Sequence, residues 1–290
     1  FVDTARRVSA NHPETFSHES SRSGAPPTDE PFNTPSPHID VRICRPTFYE
    51  NVYYLRRLVA PSKMCVVLKA NAYGHGLEAL APVAADAGAD YLGICTNPEA
   101  DIIRQQGIQL PILRLRMALP EELEESAREL NVEEQIGTWQ AAEYLSSLAR
   151  RIGRELPVHI NIDTGMGRSG FFVEQSELIR RVIDLPGLEI VGMFTHFPTA
   201  DAADLTGTEA RLDAFQRLHD QLVDVLPERV LIHTHNSAAT VRIGRRQHNL
   251  VRVGAACYGV RTSQEFDNPG ELRPVMSVKT RVAQIREIPA

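Results

Sequence analysis

Val66-Val67-Leu68-Lys69-Ala70-Asn71-Ala72-Tyr73-Gly74-His75-Gly76 runs three apolar residues into a lysine and then into a glycine-punctuated turn. A short apolar run bounded by turn residues is the pattern of a strand buried on both faces, as in a parallel sheet. Gly74 and Gly76 permit a tight turn, and residues 77–87 then repeat apolar side chains at helical spacing. The segment therefore reads strand, turn, helix, with a lysine at the strand's C-terminal end. A buried ammonium without a partner is costly, so Lys69 either loses its charge or forms an imine. A lysine snorkelling from the strand end is the plainer alternative on position alone. Tyr73 places a hydroxyl beside it.

The same unit recurs along the chain. After a short strand at residues 39–43 and a helix at 46–59, whose Phe48, Val52, Leu55 and Val59 fall at three- and four-residue steps, apolar strands are expected at 64–68, 91–95, 111–115, 135–137, 158–162, 190–194, 230–233 and 250–253. Amphipathic helices are expected between them, among others at 77–87, 120–130, 138–152 and 208–226. Eight strands with intervening helices suit an α/β fold of the (β/α)8 TIM-type barrel, because parallel strands need crossover connections. A doubly wound open sheet gives a similar alternation, and periodicity does not separate the two. Residues 1–38, rich in Ser, Pro and Thr with little apolar periodicity, read as a disordered lead-in. Residues 273–288 break the rhythm with a long strand-like stretch and no helix after it.

Composition narrows the function classes. A net charge of −6 without a basic run argues against nucleic acid as a partner. No apolar run approaches the ~18 residues of a membrane span, so no membrane helix is expected. The four cysteines lack C-x-x-C spacing, which speaks against a zinc or thioredoxin-type site. Cys65 and Cys95 fall on neighbouring expected strands; a disulfide is open, and buried free thiols are the simpler reading. The only lysines are Lys63, Lys69 and Lys279, so one inside an apolar strand is not filler. The chain begins at Phe1 rather than Met, which leaves room for an upstream segment, and the residues present hold no signal-peptide apolar core.

In a barrel, functional groups collect at the C-terminal strand ends. Those ends carry Lys69, Arg116, Arg168, His196, His233 with Asn236 and Ser237, and Arg252 with Gly254. So many basic groups call for an anionic ligand, and no Asp/Glu pair stands among them to suggest a divalent metal or a glycosidase. Asp163-Thr164-Gly165-Met166-Gly167-Arg168 is a glycine-rich loop directly after a strand, equally readable as an ordinary turn or as a device that delivers Arg168 to a planar ligand. His233 and His235 lack a third ligand at recognisable spacing, so no metal is expected. Asn236 and Ser237 suit the cap of the next helix, and the amides of Gly254 and Ala255 suit a phosphate.

Together these segments resemble the alanine racemase family, the fold-type III pyridoxal-phosphate enzymes, from about residue 39 onward. Lys69-Ala70-Asn71-Ala72-Tyr73-Gly74-His75-Gly76 carries the resemblance most specifically, and the motifs appear in the family's order. It implies a pyridoxal-phosphate-binding (β/α)8 barrel over residues 39–263, and at 264–290 only the first strand of a C-terminal β domain. It implies Lys69 as the Schiff-base lysine and one of two bases that exchange the α-proton of alanine. Tyr73, Ser237, Gly254 and Ala255 match phosphate-binding positions, with Asn236 beside them. Arg252 matches the arginine facing the pyridine nitrogen, with His233 behind it; His196 matches the residue against the ring, and Arg168 the one on the cofactor's hydroxyl side. The second base in the family is a tyrosine from the C-terminal domain of a partner subunit, so a homodimer is expected of the full-length protein. None of the seven tyrosines here occupies that place.

Two departures bear on substrate and setting. Asn161 stands where many members carry a carbamylated lysine. Arg114-Leu115-Arg116 is similar to the Arg-x-Arg of the broad-specificity amino acid racemases, a periplasmic branch, whereas Asp163–Ser169 is similar to the alanine-specific one. The expectation is a racemase for alanine in a cytoplasmic setting, with a broad-specificity periplasmic racemase, or a cofactor-binding barrel without racemase activity, as alternatives.

Overall fold

The computed structural model describes residues 39–243, 248–265 and 269–288; the lead-in expected over residues 1–38 lies outside them. The first described strand, β1 (Ile39–Ile43), leads into α1 (Arg45–Val59), which buries Phe48, Val52, Leu55 and Val59 at the expected helical spacing. Strand and helix then alternate: β2 (Lys63–Val67), the one-turn segment α2 (Lys69–Tyr73), α3 (Leu77–Asp86), β3 (Tyr91–Ile94), α4 (Asn97–Gln105), β4 (Ile112–Arg114) and α5 (Pro120–Glu125). Next come β5 (Val132–Ile136), α6 (Trp139–Ile152), β6 (Leu156–Asp163), the two-residue β7 (Phe171–Phe172), α7 (Ser176–Ile183) and β8 (Leu188–Phe194). Last are α8 (Thr206–Leu222), β9 (Leu231–His233), α9 (Ser237–Arg242), β10 (Leu250–Val253) and β11 (Met276–Thr280).

Eight of these strands pair in parallel in the order β10-β2-β3-β4-β5-β6-β8-β9, and β7 pairs with β6. The seam between β9 and β10 is joined by single hydrogen bonds: Asn249 N–H to the Ile232 carbonyl at 3.1 Å and Arg252 N–H to the His235 carbonyl at 3.0 Å. The result is a nearly closed eight-stranded parallel barrel, which decides between the barrel and the open sheet that periodicity left unresolved. Two apolar shells lie between strands and helices, one built on α1 and α3, the other on α6, α7 and α8. The barrel interior is smaller and mixed. Cys65, Tyr91, Leu113, Leu231 and Leu250 form its apolar part.

Three elements depart from the expectations. The helix expected over residues 120–130 is α-helical only to Glu125 and continues as a π-helical turn over residues 126–130. The strand expected at 135–137 begins three residues earlier, so Glu133 and Glu134 lie within β5. The strand-like stretch 273–288 is a strand only at β11, which pairs antiparallel with β1 from Ile39↔Thr280 to Ile43↔Met276. β1 therefore forms a small sheet with β11, although it falls within the 39–263 span assigned to the barrel. Among the described residues no helix is long and apolar enough to cross a membrane. Cys65 and Cys95 are free thiols, and burial pushes the Cys65 pKa up to about 12.

Candidate functional site

The C-terminal ends of the barrel strands surround a cavity of about 270 Å³ lined by Lys69, Tyr73, Arg168, His196, Asn236, Ser237, Arg252, Gly254 and Ala255, together with Leu115, Met166, Phe194, Pro198 and Asp201. Nine side chains or backbone positions expected from sequence thus share one wall system. His233 lies behind it, fully buried. Arg114 and Arg116 do not line it. Arg114 is buried and donates from Nε to Glu134 at 2.8 Å, while Arg116 donates to Glu122 at 2.8 Å.

Lys69 leaves β2 into an unusual turn. Ala70, Asn71, Ala72 and Tyr73 all have φ of +54°, a left-handed turn made without glycine. Such a conformation costs L-residues roughly 1–2 kcal/mol each, so the surroundings must hold it. Glu99, at the start of α4, does much of this. Its Oε1 accepts the Ala70 N–H at 2.6 Å, and its Oε2 accepts those of Cys95 at 2.8 Å and Thr96 at 3.1 Å. The Asn71 side chain accepts the Leu77 N–H at 2.7 Å and ties the turn to α3. Gly74 (φ +81°) then ends it.

The turn carries the Tyr73 ring against the β10 exit. A Cβ on Gly254 would sit 2.5 Å from the Tyr73 hydroxyl, so any larger residue there would displace the Tyr73 ring. The Ser237 hydroxyl accepts the Gly254 N–H at 3.0 Å and the Ala256 N–H at 3.3 Å, which leaves its proton to donate outward. Asn236 caps α9 by accepting the Ala239 N–H at 3.0 Å and donates to the Phe197 carbonyl at 3.1 Å, joining the loops after β8 and β9. Tyr73, Ser237 and the Gly254–Ala255 backbone form a small polar cradle.

The glycine-rich loop after β6 is shaped by Asp163, whose Oδ1 accepts the amides of Gly165 and Met166 at 2.8 Å and of Gly167 at 3.1 Å. Burial pushes the Asp163 carboxyl up, but these N–H groups together outweigh burial and leave its pKa below the usual value. The folded loop delivers Arg168 to the cavity. Lys69, Arg168 and Arg252 make the site cationic. Desolvation first, and then these three charges, depress the His196 pKa to about 3, so its imidazole is neutral. Burial lowers Arg252 to about 10, which still leaves it charged at neutral pH. Its Nη2 donates to the Thr195 carbonyl at 2.6 Å and its Nη1 to His233 Nδ1 at 2.8 Å.

The arrangement suits a planar anion with a phosphate group, covalently reachable by one amine. The sequence profile described as "Alanine racemase, N-terminal domain" matches residues 43–262. The chain belongs to this family. The alanine racemase of Desulfosudis oleivorans is 36% identical over 252 residues, which are 83% of this chain and 64% of that protein. This chain thus spans a little under two thirds of that relative's length. Among solved structures, alanine racemase from Clostridium difficile in complex with cycloserine superposes with a TM-score of 0.78 at 28% identity, covering 88% of this chain and 71% of that one. Alanine racemase from Bartonella henselae with covalently bound pyridoxal phosphate superposes with a TM-score of 0.75 at 25% identity, covering 87% and 71%.

Sequence reasoning missed Glu99, Glu133 and His159. Glu99 had a readable signal, since Thr96-Asn97-Pro98-Glu99 is a helix-start pattern with an acid three residues after the threonine. His159, Asn161 and Asp163 alternate with apolar residues along β6, which marks the barrel-facing side of that strand. Among the described residues no group of three or more His, Cys, Asp or Glu side chains is arranged to hold a metal.

Proposed function

We propose that the protein is a pyridoxal-phosphate-dependent alanine racemase in which Lys69 holds the cofactor and serves as one of two acid/base groups. The observation that carries this reading is the juxtaposition of Lys69 with a glycine-dependent phosphate cradle in one cationic cavity. The residues present fit the cofactor. Burial pushes the Tyr73 hydroxyl up to about 12, so it stays protonated and would donate to a phosphate oxygen. By the family resemblance, Ser237 and the Ala255 amide would complete that end, the Gly254 N–H being given to Ser237, and Arg252 would face the ring nitrogen, His196 the ring and Arg168 the hydroxyl side.

Bound there, pyridoxal phosphate supplies an electron sink for the pair released when the substrate Cα–H bond breaks. The chain's own groups govern where protons go. Arg252, charged at neutral pH and anchored by Thr195 and His233, would disfavour protonation of a ring nitrogen facing it and so limit misplaced protonation. Lys69 takes and returns a proton at one face of the substrate α-carbon. Tyr73 does not serve the other face, because it stands in the cradle on the same turn as Lys69, and among the described residues no other tyrosine lines the cavity. The family resemblance supplies the second base as a tyrosine of a partner subunit, so the complete site is that of a homodimer. The similarity of Asp163–Ser169 to the alanine-specific branch favours alanine. The engagement of Arg114 with Glu134 and of Arg116 with Glu122 also favours the narrow substrate over a broad set.

The test is incubation of the 290-residue chain and cofactor with L- or D-alanine in deuterated water, following α-deuteration and chirality. A single base on one face exchanges the α-proton of one enantiomer preferentially, and Lys69→Ala abolishes that exchange. Borohydride reduction attaches the cofactor to Lys69. An adduct at Lys63 or Lys279, or no exchange in either enantiomer by chain that holds the cofactor, overturns the reading.

A further inference from the structure

The interior of the barrel carries a line of polar groups that the proposed reaction does not use. His233 Nε2 lies 2.9 Å from His159 Nδ1, and His159 Nε2 lies 2.7 Å from Glu133 Oε2. With the Arg252 Nη1 contact to His233 Nδ1, four side chains from β10, β9, β6 and β5 form one hydrogen-bonded series from the cavity wall into the barrel. The space for it is specific. A Cβ on Gly192 of β8 would lie 2.1 Å from His159 Nδ1 and 2.9 Å from His233 Nε2, so the contact exists because that residue is glycine. Phe194 stacks on His233 with centroids 4.8 Å apart and lies 4.9 Å beneath the Arg252 guanidinium.

The direction of the series follows from donor counting. A guanidinium only donates, so His233 Nδ1 accepts, and a neutral His233 carries its proton on Nε2. That proton is given to His159 Nδ1, so His159 also carries its proton on Nε2 and gives it to Glu133. Every proton points from Arg252 toward the carboxylate, with a fixed cation at one end and an acceptor-only anion at the other. Other titratable groups facing the series include Cys65 of β2 and Tyr91 of β3, both held protonated by burial, with the Tyr91 hydroxyl 3.5 Å from Glu133 Oε1, Arg104 acting on Glu133, and His196, Arg168 and Lys69 at the cavity. Lys63 lies 5.8 Å from the Tyr91 ring centroid.

We infer that Glu133 and His159 are positioning residues: through His233 they orient the Arg252 guanidinium and counterbalance its charge, and so set the proton affinity of whatever the cavity holds. The inference rests on the proposed function only for what the cavity holds; the series itself belongs to the cofactor-free chain.

The experiment compares wild type with Glu133→Gln, which keeps a carbonyl acceptor for His159 and removes the charge. Imidazole proton–nitrogen NMR of the cofactor-free chain is expected to show both His159 and His233 as Nε2–H tautomers. In Glu133→Gln both Nε2–H signals move upfield, including that of His233, which Glu133 does not touch. In the chain loaded with pyridoxal phosphate, the pH at which the visible absorbance titrates moves down by about one unit, because loss of the anion disfavours protonated forms. A His233 signal unmoved in the variant, or an Nδ1–H tautomer at His159, overturns the inference. Failure to bind the cofactor at Lys69 sinks the proposed function, while the NMR shifts of the cofactor-free chain still decide the inference.

Discussion

Tyr73 and His196 show how the cavity sets the state of individual side chains. The Tyr73 hydroxyl meets the Gly254 backbone so closely that it is placed to donate to an anion there. Hydrogen bonds to charged groups contribute about 1.5–3 kcal/mol. Tyr73→Phe is therefore expected to weaken pyridoxal phosphate binding by roughly ten- to a hundredfold, measured by fluorescence titration, with chain stability nearly unchanged. An unchanged Kd would remove Tyr73 from the cradle. His196 has a folded pKa of about 3 against 6.5 when unperturbed. Above pH 6.5 the imidazole is neutral in both states and costs nothing. Between 6.5 and about 3 the unfolded chain takes up a proton that the folded one refuses, so stability falls on acidification by up to about 1.4 kcal/mol per pH unit. Urea unfolding at several pH values is expected to show a shallower acid slope in His196→Gln than in wild type. Parallel slopes would contradict the buried neutral imidazole. Lys69, His196 and Arg252 were legible from their places at the ends of apolar strands, and Tyr73 from the turn that follows Lys69. Their protonation states were not, since those depend on charges from other strands.

At the scale of elements, the decisive piece is the left-handed turn α2. Its glycines predicted a tight turn, yet the strained residues are Ala70 to Tyr73, of which only Asn71 is a type that favours a positive φ. The turn is imposed by Glu99, 29 residues away from Ala70, through a carboxylate that takes N–H groups from both α2 and the end of β3. Glu99→Ala leaves these donors without their partner and is expected to cost about 2–3 kcal/mol, seen as a lower urea midpoint. It also weakens cofactor binding, because Lys69 and Tyr73 lose their mutual placement. Glu99→Gln, which accepts through one oxygen only, falls between. If Glu99→Ala binds cofactor as wild type does, the turn is held by something else. β5 shows why acids escaped notice. Val132-Glu133-Glu134-Gln135 is too polar to read as a strand, but both carboxylates have partners: Glu133 meets His159, and Glu134 receives Arg114 and the Ser126 hydroxyl. Burial pushes the Glu134 carboxyl up, and the bonds from Arg114 and Ser126 oppose that shift.

For the whole molecule, the alternation of eight apolar strands with helices was readable, while closure of the sheet was not, because closure depends on how the last strand meets the first. β10 pairs with β2 by a regular ladder, whereas β9 meets β10 through few bonds. Asn249 concentrates them. Its Oδ1 accepts the Ile232 N–H at 2.7 Å, its Nδ2 donates to the Val230 carbonyl at 3.0 Å, and its own backbone bonds to Ile232 and Lys63. The side chain supplies two of the seam's bonds and is solvent-exposed, so water compensates part of their loss. Asn249→Ala is expected to destabilise the chain by about 1–2 kcal/mol. The effect belongs to one place. Amide hydrogen exchange in Asn249→Ala should accelerate at Ile232 and along β9 and β10, with β4 and β5 across the barrel keeping wild-type protection. The seam also sets the spacing between His233 and Arg252, so the same variant is expected to broaden the His233 imidazole signal. Uniform acceleration over all eight strands would mean that the barrel opens as one unit and that its seam is no weaker than its ladders.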